Sequence, residues 1–176
     1  ARSAIEAGAA MINDISSFRF EPGMARLAAE HKVPVVLMHM RGTPRTMQRQ
    51  AVYVDPIAEI TDFFKERITY AESAGIDPHQ IIIDPGVGFG KSLPDGNLSI
   101  IKNLAAFKTL GKPILIGLSR KAFIGHVLNL GVEEREEGTA AALAVAVHNG
   151  ANLVRVHDVK KMKRVVTMVD AIVSVN

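Results

Sequence analysis

Short, near-continuous apolar runs alternate along this chain with longer stretches in which apolar residues return every three or four positions. The runs fall at residues 10–12, 33–38, 81–83, 114–118 and 153–156. They are hydrophobic on consecutive residues and rich in Val and Ile, as strands buried on both faces are. The stretches between them predict helices. Residues 55–74 have Asp55 as N-cap, Pro56 at the first helical position and Gly75 as a stop, with one apolar stripe of Ile57, Ile60, Phe63, Phe64, Ile68 and Ala71. Residues 97–110 repeat the pattern with Leu98, Ile101, Leu104 and Phe107, closed by Gly111. Residues 134–148 are Ala-rich and end at Gly150, and residues 159–173 carry Val159, Met162, Val165, Val166, Val169 and Ile172. The opening residues 1–7 also read as a helix, with Gly8 as its stop. Neither an initiator Met nor a cap precedes it, so the sequence is expected to be a fragment that begins inside an element.

Strand–helix alternation predicts an α/β protein with a parallel sheet. Five βα units in 176 residues fit either a doubly wound sheet or part of a (βα) barrel. No linker or low-complexity stretch divides the chain, so residues 1–176 are expected to form a single domain. Composition narrows the functional classes. With 48% hydrophobic and 22% charged residues, the chain has too much apolar content for intrinsic disorder. Its longest apolar runs fall far short of the ~20 residues that span a bilayer, and the first residues carry no apolar signal core. Lys and Arg number 21 against 18 Asp and Glu, a net +3, too small and too evenly spread to suggest nucleic acid. The chain has no Cys, which removes disulfides and thiolate metal sites and is compatible with a cytoplasmic location.

The candidate chemistry is positional. Each run ends in polar residues that a buried strand normally avoids: Asn13-Asp14, His39 with Arg41, Asp84, Ser119-Arg120-Lys121, and Arg155 with His157-Asp158. In βα folds the C-terminal strand ends are where ligands bind. Asp14 and Asp158 can equally be helix caps, but five converging ends are harder to explain that way. Arg155 and His157 are two apart on a strand and share a face. With Arg120 and Lys121 one strand earlier, they predict a site for an anionic, phosphorylated ligand.

The segment Gly86-Val87-Gly88-Phe89-Gly90-Lys91-Ser92 approaches a phosphate-binding P-loop, but Pro85 stands where the first Gly belongs and Pro94 follows where a helix is required. It is expected instead to be a glycine-permitted loop that lays Phe89 over a pocket while Asp84 points in. A carboxylate on a pocket floor suits an amidine-like group, from which it accepts two parallel N–H bonds. The six His residues lack zinc spacing. His31, His79, His126 and His148 are expected at the surface, and His39 is expected to pack or to orient a loop.

Taken together, Asn13-Asp14-Ile15, Leu37-Met38-His39-Met40 with Gly42, Pro44, Met47 and Gln48, the loop from Asp84 to Lys91, Gly117-x-Ser119-Arg120-Lys121 and Arg155-Val156-His157-Asp158-Val159 closely resemble the dihydropteroate synthase family, in that family's order. The resemblance implies a TIM (βα)8 barrel, here a partial barrel of five parallel units matching about strands four to eight. It implies a transferase of folate biosynthesis that joins a dihydropterin pyrophosphate to p-aminobenzoate and releases pyrophosphate. By motif, Asn13 and Asp84 would bond the pyrimidine edge of the pterin, and Lys121 its carbonyl and ring nitrogen. Ile15, Met38, Gly117 and Phe89 would line the slot, and Ser119 would contact p-aminobenzoate. Arg155 and His157 would hold the pyrophosphate, which makes Lys121, Arg155 and His157 the catalytic candidates. Mg²⁺ is implied as cofactor and a homodimer as the assembly, with no nucleic acid and no membrane.

The departures from the family matter as much. Its first three strands are absent, and with them a metal-associated Asn, two mobile substrate loops and a further pterin-binding Asp. No metal ligand is therefore expected in this chain, which alone is expected to be inactive and to self-associate. Two alternatives stand beside the resemblance. One is a corrinoid-type pterin-binding methyltransferase domain, which would need no pyrophosphate clamp; the other is a non-catalytic pterin-binding fragment. Ile12, Val36, Ile82 and Leu115 are expected to face the barrel interior.

Overall fold

A computed structural model describes residues 1–93 and 95–175; Pro94, used above against a P-loop, lies outside them. Five strands form: β1 (Ile12–Asp14), β2 (Val35–Met38), β3 (Ile81–Asp84), β4 (Leu115–Ile116) and β5 (Leu153–Val154). All pairings are parallel. β1, β2 and β3 make one sheet, β4 and β5 a second, and a single bridge between Ile83 and Ile114 joins them. The sequential order β1-β2-β3-β4-β5 is what right-handed βα crossovers produce. β4 and β5 are shorter than their apolar runs. Pro113 has no N–H to extend the ladder at one end of β4, and Gly117 follows at the other.

The helices are α1 (Arg2–Glu6), α2 (Gly23–His31), α3 (Pro56–Ser73), α4 (Asp95–Lys102), α5 (Ala122–Leu128), α6 (Glu136–His148) and α7 (Val159–Val173). α3 starts as its sequence dictates: the Asp55 carboxylate accepts from the amides of Ile57 at 2.9 Å and Ala58 at 3.0 Å. It buries Ile60, Phe64, Ile68 and Ala71. The helix expected over 97–110 is broken. The Asn103 side-chain amide donates to the Ser99 carbonyl at 2.9 Å, the carbonyl that its backbone N–H also meets at 3.0 Å, and past it residues 104–110 tighten into 3-10 geometry. α2 and α5, nine and seven residues long, are too short for a visible stripe and were not expected.

The main core lies between the strands and the helices. It gathers Val35, Leu37, Ile81, Ile83, Ile114 and Ile116 with Phe64, Leu104, Phe107 and Leu143. A second, smaller cluster of Val36, Ile82 and Leu115, with Leu153 packed on it, occupies the other face of the strands. Ile12 corrects the expectation: it packs in the helix-side core, and Asn13, in register with Val36, takes the opposite face. Pairing sets Ile12 opposite Val35, whose side chain lies in the helix-side core, and a register one residue away would have exchanged the two faces. On that second face, between β1 and β5, lies an open recess of about 710 Å³. Met11, Asn13, Val36, Leu115 and Arg155 line it together with Val159 and Val166 of α7. The apolar stripe of α7 is covered only in part: Met162 is buried and Val165 packs on the main core, whereas Val159 is 65% and Ile172 61% exposed. Among the described residues no helix is long and apolar enough to cross a membrane.

Removing the Phe64 ring, which meets Phe63 and Phe107 edge-on at centroid distances of 5.6 and 6.2 Å, is expected to cost about 3–5 kcal/mol. Asp55→Ala is expected to cost about 1 kcal/mol. Urea unfolding of the two variants checks both the values and their order.

Candidate functional site

Alternation along parallel strands sorts the candidate residues into two tiers. Asn13, Val36 and Ile82 pair across β1–β3, and Leu115 pairs with Leu153. Two residues further along, Met38 and Asp84 end β2 and β3 on the same face, and Ile15, Gly117 and Arg155 stand just past the ends of β1, β4 and β5. Met38 pairs directly with Asp84. Five of the residues singled out from sequence thus form one ring segment at the C-terminal rim, and Asn13 sits one tier below. Met38 is fully buried, Ile15 is half-buried and Asn13 is exposed to the recess.

Asp84 is the floor of this rim. It is 1% exposed. One carboxylate oxygen accepts the Gly86 amide at 2.8 Å, and the other faces the Arg155 guanidinium at 3.4 Å. Burial pushes its carboxyl above the usual carboxylate range, opposed by the Gly86 N–H and by Lys121, Arg155 and Lys91. Gly117 leaves room for that partner: a Cβ there would come to 3.0 Å from the Arg155 guanidinium and crowd it. Gly86 is held more tightly, with φ +68° and a would-be Cβ 2.0 Å from the His39 carbonyl oxygen.

The loop after β3 wraps around Lys91. This side chain, 1% exposed, donates from Nζ to the carbonyls of Phe89 at 2.9 Å and Gly86 at 3.1 Å, and to His39 Nδ1 at 3.0 Å. A P-loop lysine would reach out to phosphate; this one turns inward, which disposes of that decoy. Burial lowers the Lys91 ammonium to about 7. Burial, with Lys91 beside it, holds the His39 imidazole down at about 2, so His39 is a neutral acceptor. His39 also stacks edge-on against Phe63 at 4.8 Å, the packing and loop-orienting part expected of it. His79, His126 and His148 are exposed and His31 is half-buried.

Lys121 reaches the same loop from the other side. Its Nζ donates to the Val87 carbonyl and sits 5.0 Å from the Phe89 ring centroid, a cation–π contact. Burial lowers it to about 8, with Asp84 opposing. Phe89 therefore covers Lys121. Ser119 Oγ lies 2.9 Å from His157 Nδ1 and accepts the His157 amide at 3.3 Å. Gly117, Ser119, Lys121, Arg155 and His157 line an open recess of about 290 Å³, smaller than the recess between β1 and β5, with which it shares Arg155.

Two strand-end carboxylates have structural employment. Asp14 clamps the turn after β1, accepting from the Ser16 amide and hydroxyl at 2.8 and 2.7 Å and from the Phe18 amide at 2.7 Å. Asp158 caps α7 through the Lys161 amide at 3.0 Å. Arg120 turns away: its backbone, at φ +57°, is held by Thr139 and Arg135, and its guanidinium faces Glu133 at 3.5 Å. Sequence reasoning missed Lys91 as the loop's anchor, although a lysine directly after three spaced glycines was the available signal. It also missed Tyr53, whose hydroxyl donates to the Gly90 carbonyl at 2.8 Å and whose ring stacks under Arg41. Among the described residues no group of three or more His, Asp or Glu could hold a cation, and both Asp84 oxygens are engaged. The residues present do not make a Mg²⁺ site.

Against this geometry, comparison with known proteins is unambiguous as to family. The sequence pattern of the family described as "Pterin binding enzyme" matches residues 1–157. The dihydropteroate synthases of Synechocystis sp. and Escherichia coli K12 are 45% and 44% identical over 173 residues, 98% of this chain. The chain spans about three fifths of the length of these curated relatives, 60% and 61%. Among solved structures, dihydropteroate synthase from Stenotrophomonas maltophilia superposes with a TM-score of 0.94 at 40% identity, covering 99% of this chain and 66% of that one. The Xanthomonas albilineans enzyme in complex with 7,8-dihydropteroate gives 0.90 at 42%, covering 99% and 63%. The same enzyme with 4-aminobenzoic acid gives 0.91 at 43%, covering 99% and 62%. The chain belongs to the pterin binding enzyme family, and its likeness within that family is to dihydropteroate synthases.

Proposed function

We propose that this chain is the C-terminal part of a dihydropteroate synthase, in which a dihydropterin pyrophosphate and p-aminobenzoate condense to dihydropteroate and pyrophosphate. The observation that carries the proposal is the rim on which Asp84, Arg155, Gly117 and Met38 share one tier with Lys121 above them. That is a carboxylate floor beside a cationic wall. The X. albilineans structures with 7,8-dihydropteroate and with 4-aminobenzoic acid support the two organic ligands. The five βα units are then part of an eight-stranded barrel, and the recess between β1 and β5 is where the remaining strands would stand.

In this proposal Asp84 and Asn13 accept and donate along the pyrimidine edge, and Lys121 donates to the pterin carbonyl and ring nitrogen. Ile15, Met38, Gly117 and Phe89 bound the slot, and Ser119 meets p-aminobenzoate. Arg155 swings from Asp84 to the pyrophosphate, where His157 joins it. As the methylene C–O bond breaks, the leaving pyrophosphate gains charge that these cations stabilise. The amine nitrogen then bonds to the methylene carbon and loses a proton to solvent. Mg²⁺ belongs to the part of the enzyme outside this chain. A corrinoid-type methyltransferase would leave the pairing of Ser119 with His157, and the cationic Arg155 beside it, without an anion to serve. A homodimer in the cytoplasm completes the proposal.

In the complete polypeptide, Asp84→Asn is expected to weaken pterin binding roughly 30- to 150-fold, the equivalent of about 2–3 kcal/mol for a mispaired buried group. Calorimetry with a pterin decides it, and unchanged affinity in a folded variant removes Asp84 from the slot. Arg155→Met is expected to weaken pyrophosphate about 10- to 150-fold, from the ~1.5–3 kcal/mol of a bond to a charged group. Lys121→Met should weaken the pterin and p-aminobenzoate instead; equal losses of all three ligands in both variants would refute the division. This chain by itself is expected to produce no dihydropteroate and to self-associate through its uncovered strands. A turnover assay with light scattering tests that, and an active monomer would overturn it.

A further inference from the structure

Lys91 is a buried cation facing neutral acceptors. Among the described residues no carboxylate lies within ion-pair distance of it. Its Nζ meets the Phe89 carbonyl at 2.9 Å, His39 Nδ1 at 3.0 Å, the Gly86 carbonyl at 3.1 Å and the His39 carbonyl at 3.4 Å. Removing an ammonium from water is costly unless its donors are all met, and here they are met only while residues 86–90 stay wrapped around it. The same loop is where Lys121 and Asp84 find partners. Val87 supplies the carbonyl under Lys121, Phe89 the ring beside it, and Gly86 the amide that Asp84 accepts. Among the described residues the segment is also tied by the Asn97 side chain to the Gly88 amide at 2.6 Å and by Tyr53 to Gly90.

We infer that Lys91 is a positioning residue for the pterin end of the site: by gathering the Gly86 and Phe89 carbonyls against the His39 end of β2, it sets the loop that aims Lys121 and Asp84. The inference rests on the proposed function for its ligand, and on geometry alone for its hold on the loop. Among the described residues Lys91 has no hydrogen bond or ion pair with Arg155 or His157, so it reaches the pyrophosphate end only through Asp84, whose contact with Arg155 is long at 3.4 Å. The titratable groups around Lys91 are His39 at the end of β2, Asp84 at the end of β3 and Lys121 after β4; Arg19 and Arg41 face His39 in turn.

The test is Lys91→Met in the complete polypeptide, a change that keeps the side-chain volume and removes the donors. Pterin affinity is expected to fall at least 10-fold and pyrophosphate affinity to stay within two-fold. Amide exchange in the ligand-free protein is expected to quicken at residues 86–90 and to stay unchanged in β1–β3. The pH dependence of unfolding supplies a further sign. The unfolded lysine keeps its proton up to about 10.5, whereas the folded one releases it near 7. Folded protein therefore binds fewer protons between those values, and wild-type stability gains on that of the variant as pH rises from 7 to 10.5. Unchanged exchange at 86–90, or equal losses of pterin and pyrophosphate, would overturn the inference. Failure of the wild type to bind a pterin would instead count against the proposed function, and exchange would still decide the hold on the loop. If Lys91→Met does not fold, Lys91→Gln, whose shorter side chain cannot span to His39 Nδ1 and both loop carbonyls at once, is expected to quicken exchange at 86–90 and weaken the pterin in the same sense. Unchanged exchange there would overturn the inference.

Discussion

Everything chemical in this molecule depends on parallel strand pairing. Parallel strands end on the same edge, and period-two alternation sends every second side chain to the same face. Val36, Ile82, Leu115 and Leu153 form one tier because they are in register, and Met38, Asp84, Gly117 and Arg155 form the next because each lies two residues further on. A single shift of register would send Asp84 into the helix-side core beside Phe64 and Phe107, where no cation could meet it.

Given that rim, the difficulty is charge in a dry place. Asp84 and Lys91 are both almost wholly buried and Lys121 largely so. Burial displaces all three from their ordinary titration, the carboxyl upward and the two ammonium groups downward. Each is tolerable because a backbone group meets it: the Gly86 amide for Asp84, loop carbonyls for Lys91 and Lys121. Glycine is what makes this possible. At Gly86 a side chain would strike the His39 carbonyl, and at Gly117 it would crowd Arg155. The glycines serve close approach between chain segments, and the phosphate-binding look of the Gly-Lys-Ser segment is incidental to that.

The open flank between β1 and β5 is the counterpart of the well-packed helix side. There the second-face tier ends at Met11 and Asn13 on one side and at Leu153 and Arg155 on the other, with the α7 stripe facing the same space. Of the groups proposed to hold a pterin, Met38, Asp84 and Lys121 lie away from this flank, whereas Asn13 lines it.

The sequence by itself determined the element types, most helix ends and the polar character of the strand ends, because hydrophobic period, caps and glycine stops are local. Residues 159–173 and the Asp55 cap were legible for that reason. The family motifs made Asp84, Lys121 and Arg155 legible as candidates. Tertiary structure alone decided which side chains meet. The β1–β2 register set Ile12 opposite Val35 on the helix side and Asn13 opposite Val36 on the other face. The helix expected over 97–110 gave way to 3-10 geometry after Asn103, and Asp14 and Asp158 were engaged by local amides. Lys91, unremarkable in a chain with 21 Lys and Arg, became the anchor of the site's central loop. Its role depends on carbonyls from two strand ends, 52 residues apart between His39 and Lys91, and the energy of a buried charge is set by surroundings that only folding brings together.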